Sequence, residues 1–115
     1  MIKISIVTVI NNGVSFLDKY FDTIAKTEFS DLEVILIDSD LFPDTHSKIA
    51  LFQNQYKKRF NITLIQSKER IGFSIGNNIG VEHAKGKFIM LLNPDTKLDK
   101  KCLNFLYKKT LSIKK

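Results

Sequence analysis

Two short groups of oxygen-bearing side chains have the residue types that nucleotide and metal chemistry needs. Asp38 directly follows the apolar run 34–37, and the segment Asn93-Pro94-Asp95 follows another apolar run. A carboxylate in such a place accepts hydrogen bonds from a nucleobase ring N–H or from ribose hydroxyls. Pro94 stiffens its turn, and the Asp95 carboxylate is a hard ligand that suits Mg²⁺ or Mn²⁺. The structural alternatives are a capping aspartate and an ordinary Asn-Pro-Asp turn.

A third candidate segment is rich in glycine and asparagine. Gly72, Gly76 and Gly80 recur every four residues, with Asn78 among them. This spacing differs from the dinucleotide fingerprint and from the P-loop, so it predicts neither site. A glycine inside a helix costs about 1 kcal/mol relative to alanine. Three of them therefore indicate a close approach of the helix backbone to a sheet or to a ligand.

The remaining reactive side chains form no recognisable catalytic set. His46 and His83 lie far apart in the sequence and fit surface positions on helices, and Cys102 falls on the apolar pattern of the last helix. A single cysteine makes no internal bridge, so the chain is predicted to be cytoplasmic, with peripheral attachment at the inner membrane surface as an alternative. No apolar run approaches the roughly 18 residues of a spanning helix, so no transmembrane segment is expected.

The elements that must position these residues are predicted from hydrophobic patterning. Segments with helical spacing separate four apolar, β-branched runs, which are Ile2–Ile10, Leu32–Ile37, Ile62–Ile65 and Lys87–Leu92. The β-α-β-α-β-α-β-α order predicts an α/β fold, with a Rossmann-like, doubly wound, mainly parallel four-stranded sheet and helices on both faces. Ligands of such sheets bind beyond the carboxyl ends of the strands. Polar residues follow all four runs, as a site there requires.

The helix ends carry their own signals. Asp44 or Thr45 is predicted to begin the second helix and Asp99 the fourth, because short side-chain acceptors satisfy the first N–H groups of a helix. The third helix shows apolar residues at Ile75, Ile79, Val81 and Ala84. Gly86 is expected to end that helix as a C′ glycine.

Composition excludes several classes of protein. The 115 residues suffice for one domain, and 43% hydrophobic with 26% charged residues is ordinary for a globular chain. The net charge of +6 favours anionic partners. No basic motif interleaved with aromatic residues is present, so nucleic acid is not an expected partner. Asn11 and Asn12 replace the acidic pair that a receiver-like signalling domain needs after its first strand.

The ordered motifs resemble the N-terminal, nucleotide-sugar-binding half of family 2 glycosyltransferases of the GT-A fold. The segment 70–80 is similar to the family pattern Asn-x-Gly-Phe-x-x-Gly-Asn-Asn-x-Gly and is the most specific match. The segment 4–13 looks like the family strand that ends in Thr-Tyr-Asn, with Asn12 at the asparagine. The run 85–95 looks like the approach to the family's Asp-x-Asp.

The resemblance implies roles for particular residues. Asp38 would contact the nucleotide base, Asp95 would hold Mg²⁺ or Mn²⁺ against the sugar diphosphate, and Asn93 would lie near the ribose, where the family usually has aspartate. The donor would be a UDP- or dTDP-sugar. The residues implied in nucleotide-sugar binding are Asn12, Asp38, Arg70, Gly72, Asn78 and Asn93.

The resemblance also bounds the expected activity. Residues 1–99 would form the nucleotide-sugar-binding half domain, and residues 100–115 a basic C-terminal helix and tail. The family's acceptor site and catalytic base lie beyond this length, so we expect donor binding, a chain too short for turnover alone, and no assignable catalytic residue. The alternative is a non-catalytic α/β module that forms a homodimer, or docks a partner chain, through its uncovered sheet edge.

Overall fold

The computed structural model describes residues 1–11, 15–39, 43–67, 69 and 71–112. Strands and helices alternate strictly along the chain, as the sequence predicts. The strands are β1 (Ile4–Ile10), β2 (Leu32–Asp38), β3 (Asn61–Gln66) and β4 (Phe88–Leu91). The helices are α1 (Leu17–Ala25), α2 (Pro43–Tyr56), α3 (Phe73–His83) and α4 (Cys102–Ser112).

The four strands form one parallel sheet in the order β3-β2-β1-β4. The chain therefore moves outward from β1 to β3 and then crosses back to place β4 on the other side of β1. Ile4 is paired with Leu32 of β2 and with Phe88 of β4, so β1 lies between β2 and β4. Because the strand order reverses between β1 and β4, their carboxyl ends form the point of the sheet at which a crevice opens.

Alternating side chains of the strands build two cores. On one face, residues such as Ile6 and Leu36 pack with the buried sides of α1 and α2 and with Leu103 of α4. On the other face, Val7, Val9, Ile35 and Ile37 pack against the region of α3. Helices on both faces confirm the predicted doubly wound α/β architecture. Because every residue of β1 and β2 is buried, these strands appear in the sequence as continuous apolar runs.

Strand β4 is covered less completely than its neighbours. Helix α3 packs mainly on β1 and β2, so Ile89 and Leu91 remain exposed on that face of the sheet. Met90 points to the opposite face and packs against the larger core. This leaves an apolar strip along one edge of the sheet.

A buried polar network holds the end of the sheet opposite the crevice. The Ser5 hydroxyl donates to Glu33 Oε2 at 2.6 Å, and the backbone N–H of Lys85 donates to the same oxygen at 2.7 Å. The Gly86 N–H donates to Ser5 Oγ at 2.8 Å. A Cβ at Gly86 would lie 2.6 Å from the Ser5 backbone nitrogen, so this position requires glycine for close approach.

The predicted helix ends are partly corrected. Helix α3 ends at His83 with Ala84 as its cap, so the prediction that Gly86 is the C′ residue is wrong. Helix α2 begins at Pro43, beside the predicted Asp44 and Thr45. Before α4, Asp99 Oδ1 accepts a hydrogen bond from the Lys101 N–H at 2.9 Å, as a capping residue does. Within the described residues, every helix is too short or too polar to cross a lipid bilayer.

Candidate functional site

A cleft lies where the chain reverses its path through the sheet, between the carboxyl ends of β1 and β4. Its volume is about 280 Å³. The end of β1, the turn after β4 and the first residues of two helices line it. These lining residues are Val9, Ile10, Asn11, Phe16, Phe73, Asn93, Pro94 and Asp95. This is the place where open α/β sheets bind their ligands.

The turn after β4 carries the polar wall of the cleft. The Leu92 N–H donates to the Val7 carbonyl at 2.9 Å, which prolongs the pairing of β4 with β1. The Thr96 N–H then donates to the Asn93 carbonyl at 3.1 Å and closes a turn with Pro94 at its second position, where proline is favoured. The side chains of Asn93 and Asp95 are exposed on this turn. The geometry thus presents an amide and a carboxylate side by side.

A smaller hollow of about 150 Å³ adjoins the same turn. Phe16, Pro94 and Asp95 line both spaces, and Lys19 and Lys97 line the smaller one. Two ammonium groups beside a carboxylate create a mixed electrostatic surface. Such a surface accommodates an anion and its counter-ion together.

Asp38 ends β2 one strand away from the cleft. Its Cα is paired with that of Ile10, which lines the cleft. The side chain of Asp38 is 0% exposed, and its Oδ2 lies 2.8 Å from Nε2 of His46 in the first turns of α2. The backbone of Asp38 also holds the end of β3, because its carbonyl accepts a hydrogen bond from the Ser67 N–H at 3.1 Å.

Ser39 fixes the segment that leads into α3. Its hydroxyl donates to the Ile71 carbonyl at 2.8 Å and accepts from the Ile71 N–H at 2.9 Å. This double hydrogen bond ties the residue before Gly72 to the end of β2. Gly72 then serves as the N-cap of α3 in an extended conformation, and Phe73 follows it into the cleft wall.

The glycine spacing of α3 serves its packing on the sheet. A Cβ at Gly76 would lie 2.6 Å from Val9 Cγ2, and a Cβ at Gly80 would clash with Val7 Cγ1. Ile75 and Val81, which the sequence placed on the apolar pattern of this helix, are exposed instead. Of the two interpretations of this glycine spacing, close approach to the sheet applies at Gly76 and Gly80. These contacts hold the beginning of α3 at the cleft.

The structure brings only some of the sequence-predicted site residues together. Asn93 and Asp95 share the cleft, and Asp38 lies on the adjacent strand. Gly72 caps α3, while Asn78 is exposed further along that helix and outside the cleft lining. Two further predicted residues, Asn12 and Arg70, lie outside the described residues.

Three residues of this region were not predicted from the sequence. Phe16 and Phe73 line the cleft although they are 39% and 49% exposed, and His46 contacts Asp38. For Phe16 and Phe73 the sequence offers one signal, which is an aromatic residue at the start of a helix. His46 follows Asp38 by eight residues across a loop, and no local pattern marks their contact.

The residues present fit a divalent ion that arrives with a phosphate-bearing ligand. Among the described residues, no group of three or more His, Cys, Asp or Glu side chains is arranged to hold a metal by itself. The turn after β4 supplies one carboxylate, Asp95, and one amide oxygen, Asn93. Mg²⁺ and similar ions are often bound through one or two carboxylates together with substrate phosphates.

Tyr20 belongs to the core. Its hydroxyl and Thr8 Oγ1 are 2.6 Å apart, and both residues are fully buried. Burial raises the pKa of Tyr20 above its ordinary value, and the hydrogen bond with Thr8 opposes this shift in part. Tyr20 therefore remains protonated and takes no part in acid–base chemistry at the cleft.

Similar solved structures share this fold. TarS 1-349 from S. aureus has a TM-score of 0.81 at 19% identity, covering 93% of this chain and 32% of that chain. Mannosyltransferase PcManGT from Pyrobaculum calidifontis, in complex with GDP-Man and Mn²⁺, has a TM-score of 0.80 at 20% identity, covering 88% and 30%. TarS 1-349 in complex with UDP-GlcNAc has a TM-score of 0.77 at 20% identity, covering 93% and 30%.

At this level of identity the likeness concerns the GT-A fold, and the chain spans less than a third of the length of each of these neighbours. A comparison with curated protein sequences finds no match. A family model described as Glycosyl transferase family 2 matches residues 5–112, which is nearly the whole chain. With the sheet order and the turn after β4, this match shows that the chain belongs to glycosyl transferase family 2.

Proposed function

We propose that this chain binds the nucleotide-sugar donor of a family 2 glycosyltransferase in the cleft between β1 and β4. The observation that carries this proposal is the turn Asn93-Pro94-Asp95, which lines the cleft at the reversal point of the sheet. A nucleoside diphosphate sugar combines a flat base, a polar sugar and two phosphates. The cleft and its surroundings offer aromatic, polar and charged side chains in one place.

Asp95 is the proposed ligand of Mg²⁺ or Mn²⁺. A bound divalent ion neutralises charge on the departing diphosphate as the glycosidic bond breaks. With Asn93 beside it, Asp95 offers too few oxygens to hold such an ion alone, so the diphosphate must complete the coordination. Lys19 and Lys97 line the adjoining hollow and add positive charge near the phosphates.

The nucleoside is proposed to extend from the cleft toward the end of β2. Asp38 lies there, one strand from the cleft-lining Ile10. Asn12, Arg70, Gly72 and Asn78 complete the donor contacts that the resemblance implies. Of these, Gly72 is tied to the end of β2 through the Ser39–Ile71 hydrogen bonds.

The neighbours support the substrate class. PcManGT was solved with GDP-Man and Mn²⁺, and TarS 1-349 with UDP-GlcNAc and with UDP. A UDP- or dTDP-sugar, or a GDP-sugar, is accordingly the donor class to test. Membership of the family favours donor binding over the alternative of a non-catalytic assembly module.

The proposed activity of these 115 residues is donor binding, with residues 1–99 as the binding half domain. The chain spans 32% of TarS 1-349 and 30% of PcManGT. We propose that acceptor binding and deprotonation of the acceptor hydroxyl belong to parts of a glycosyltransferase outside these residues. The exposed strip of Ile89 and Leu91 on β4 is where such a part, or a partner chain, would pack.

The test is calorimetric titration of the 115-residue chain with UDP, dTDP and GDP sugars, with and without Mn²⁺. We expect at least one donor to bind and Mn²⁺ to strengthen its binding. Asp95→Ala should weaken the metal-dependent binding on the order of tenfold. Asn93→Asp should strengthen it, since a second carboxylate joins the ion.

The matched control is Asp22→Ala. Asp22 is also exposed but forms an ion pair with Lys26 on α1, at 3.0 Å. Its removal should leave donor binding unchanged. The proposal fails if no nucleotide sugar binds under any of these conditions, or if Asp95→Ala binds the donor and the metal as the unmodified chain does.

A further inference from the structure

The outer face of α4 combines positive charge with an exposed aromatic ring. Residues 100–112 contain four lysines and neither aspartate nor glutamate. Lys101, Phe105 and Lys109 are spaced by four residues and therefore lie along one line of the helix, with Lys108 beside them. We propose that this outer face of α4, formed by Lys101, Phe105, Lys108 and Lys109, docks on the surface of an anionic phospholipid bilayer.

The opposite face of α4 anchors the helix in the fold. Leu103 is fully buried, and Tyr107 packs against the larger core. The beginning of the helix is fixed as well, because the Lys100 carbonyl accepts a hydrogen bond from the Glu28 N–H at 2.9 Å. With Leu103 and Tyr107 turned toward the core, Phe105 points outward and is 60% exposed.

The apolar part of this surface extends beyond Phe105. Leu106 is 37% exposed and Leu111 is 50% exposed, one on each flank of the outer face. The Lys109 ammonium lies 5.7 Å from the centroid of the Phe105 ring. In a bilayer the ring enters the boundary between headgroups and acyl chains, while flexible lysine stems carry their charges to the lipid phosphates.

The acidic groups near α4 leave the outer face with positive charge. Glu28 and Asp31 lie on one flank, where they line a hollow with Lys108. Asp31 is paired there with Lys3 at 3.3 Å. Asp99 lies before the helix, where its Oδ1 accepts the Lys101 N–H at 2.9 Å. The charge of the outer face thus complements an anionic surface, as does the net charge of +6 of the chain.

The exposed aliphatic residues favour a bilayer over a nucleic acid. Single-stranded nucleic acids stack their bases on aromatic faces. The Lys109 ammonium lies over the one ring of this surface, at Phe105. Leu106 and Leu111 offer nothing to a phosphate backbone, but they gain from contact with acyl chains.

The first test is cosedimentation of the 115-residue chain with vesicles of phosphatidylcholine, alone or with about one third phosphatidylglycerol. The chain should bind the anionic vesicles and dissociate as salt is added. Each lysine near an anionic surface contributes about fivefold, so Lys101→Gln combined with Lys109→Gln should lower the partition coefficient on the order of twentyfold. The matched control combines Lys57→Gln with Lys58→Gln, which removes the same charge from an exposed pair after α2. That control should lower binding by less than about threefold.

The second test follows the aromatic ring itself. Phe105→Ala should weaken binding to the anionic vesicles about tenfold. The chain contains no tryptophan, so Phe105→Trp introduces a single indole at the centre of the outer face. Its emission should shift to shorter wavelength on anionic vesicles, because indole settles at the membrane interface. Leu51→Trp is the control, since Leu51 is 70% exposed on α2, and its emission should not shift.

Several results would overturn docking by α4. Equal losses in the two lysine pairs would mean that binding responds to net charge alone, and an unshifted emission of Phe105→Trp would place the ring outside the bilayer. A short RNA that binds through Lys101 and Lys109 while vesicles do not bind would assign the face to nucleic acid. A dimer in light scattering that Phe105→Ala converts to a monomer would assign it to a second copy of the chain.

Loss of fold is recognised by circular dichroism of each variant. If the lysine pair does not fold, Phe105→Trp still decides the matter, because this exposed position carries no core contact that the larger ring would break. Nucleotide sugars are absent from both tests. Failure of the bilayer inference therefore leaves the proposed donor binding standing.

Discussion

Gly76 of α3 lies so close to Val9 of β1 that a methyl group on the glycine would come within 2.6 Å of Val9 Cγ2. Val9 is buried and also lines the cleft between β1 and β4. The same contact therefore seats the helix on the sheet and sets the position of one cleft wall. The packing of α3 on the sheet and the shape of the cleft are therefore coupled through Gly76 and Val9.

Replacing Gly76 with alanine tests this coupling. Overpacking costs roughly 1–3 kcal/mol, and the better helix propensity of alanine returns about 1 kcal/mol. Because valine is stiff at χ1 and Val9 is buried, we expect a net loss of stability of about 1 kcal/mol in urea denaturation. Nucleotide affinity should fall as well, since the start of α3 is displaced from the cleft.

Gly72→Ala is the matched control for Gly76→Ala. Gly72 has an extended backbone, and a methyl group on it would have no heavy atom of the described residues within 4 Å, apart from its chain neighbours. The free energy of unfolding should change by less than about 0.5 kcal/mol. Equal destabilisation by the two substitutions would show that contact with Val9 does not govern the effect of Gly76→Ala.

The aromatic ring of Phe73 is expected to contribute to donor binding but not to the stability of the fold. Phe73 is 49% exposed, so Phe73→Ala should leave the free energy of unfolding nearly unchanged. Loss of ring contacts in the cleft should weaken donor binding by roughly threefold to tenfold. Ile75→Ala provides the comparison, because Ile75 is an exposed apolar residue of α3 outside the cleft lining. A similar loss of affinity in both variants would contradict a direct contact by Phe73.

Tyr20 predicts a loss of stability at high pH. Burial raises the pKa of Tyr20 in the folded chain, so the folded state holds the phenolic proton more tightly than the unfolded state does. The stability from this group is fully present below the unfolded pKa of about 10 and is lost as the pH rises through the folded value. Urea denaturation at about pH 8 and about pH 11 should therefore show a shrinking advantage of the unmodified chain over Tyr20→Phe. If the difference in the free energy of unfolding between the unmodified chain and Tyr20→Phe stays constant with pH, this prediction is wrong.

Much of the architecture follows from local patterns. The continuous apolar runs of β1 and β2 predict buried parallel strands, and both strands are buried at every position. The alternation of strands and helices then predicts the doubly wound class, and the residues after each strand predict where a ligand binds. The position of Asn93 and Asp95 after the fourth strand is predicted in this way, because a turn after a strand is a local feature.

The contact partners of other residues could not be predicted from the sequence around them. Gly76 and Gly80 show the spacing of a close-packed helix, but the sequence does not say whether a sheet or a ligand lies against them. Gly86 looks like the end of a helix, yet it is required by a contact with Ser5, 81 residues away. No pattern in the sequence around His46 predicts its contact with Asp38.

The sequence by itself determined which strands and helices form and which polar residues lie at the carboxyl ends of the strands. Those properties depend on hydrophobic periodicity and on the chemistry of turns, which act within a few residues. Only the tertiary structure decided that β4 returns to the far side of β1, that the turn after β4 faces the end of β1, and that His46 contacts Asp38. These relationships depend on strand order, register and helix seating, which bring together residues that are distant in the chain.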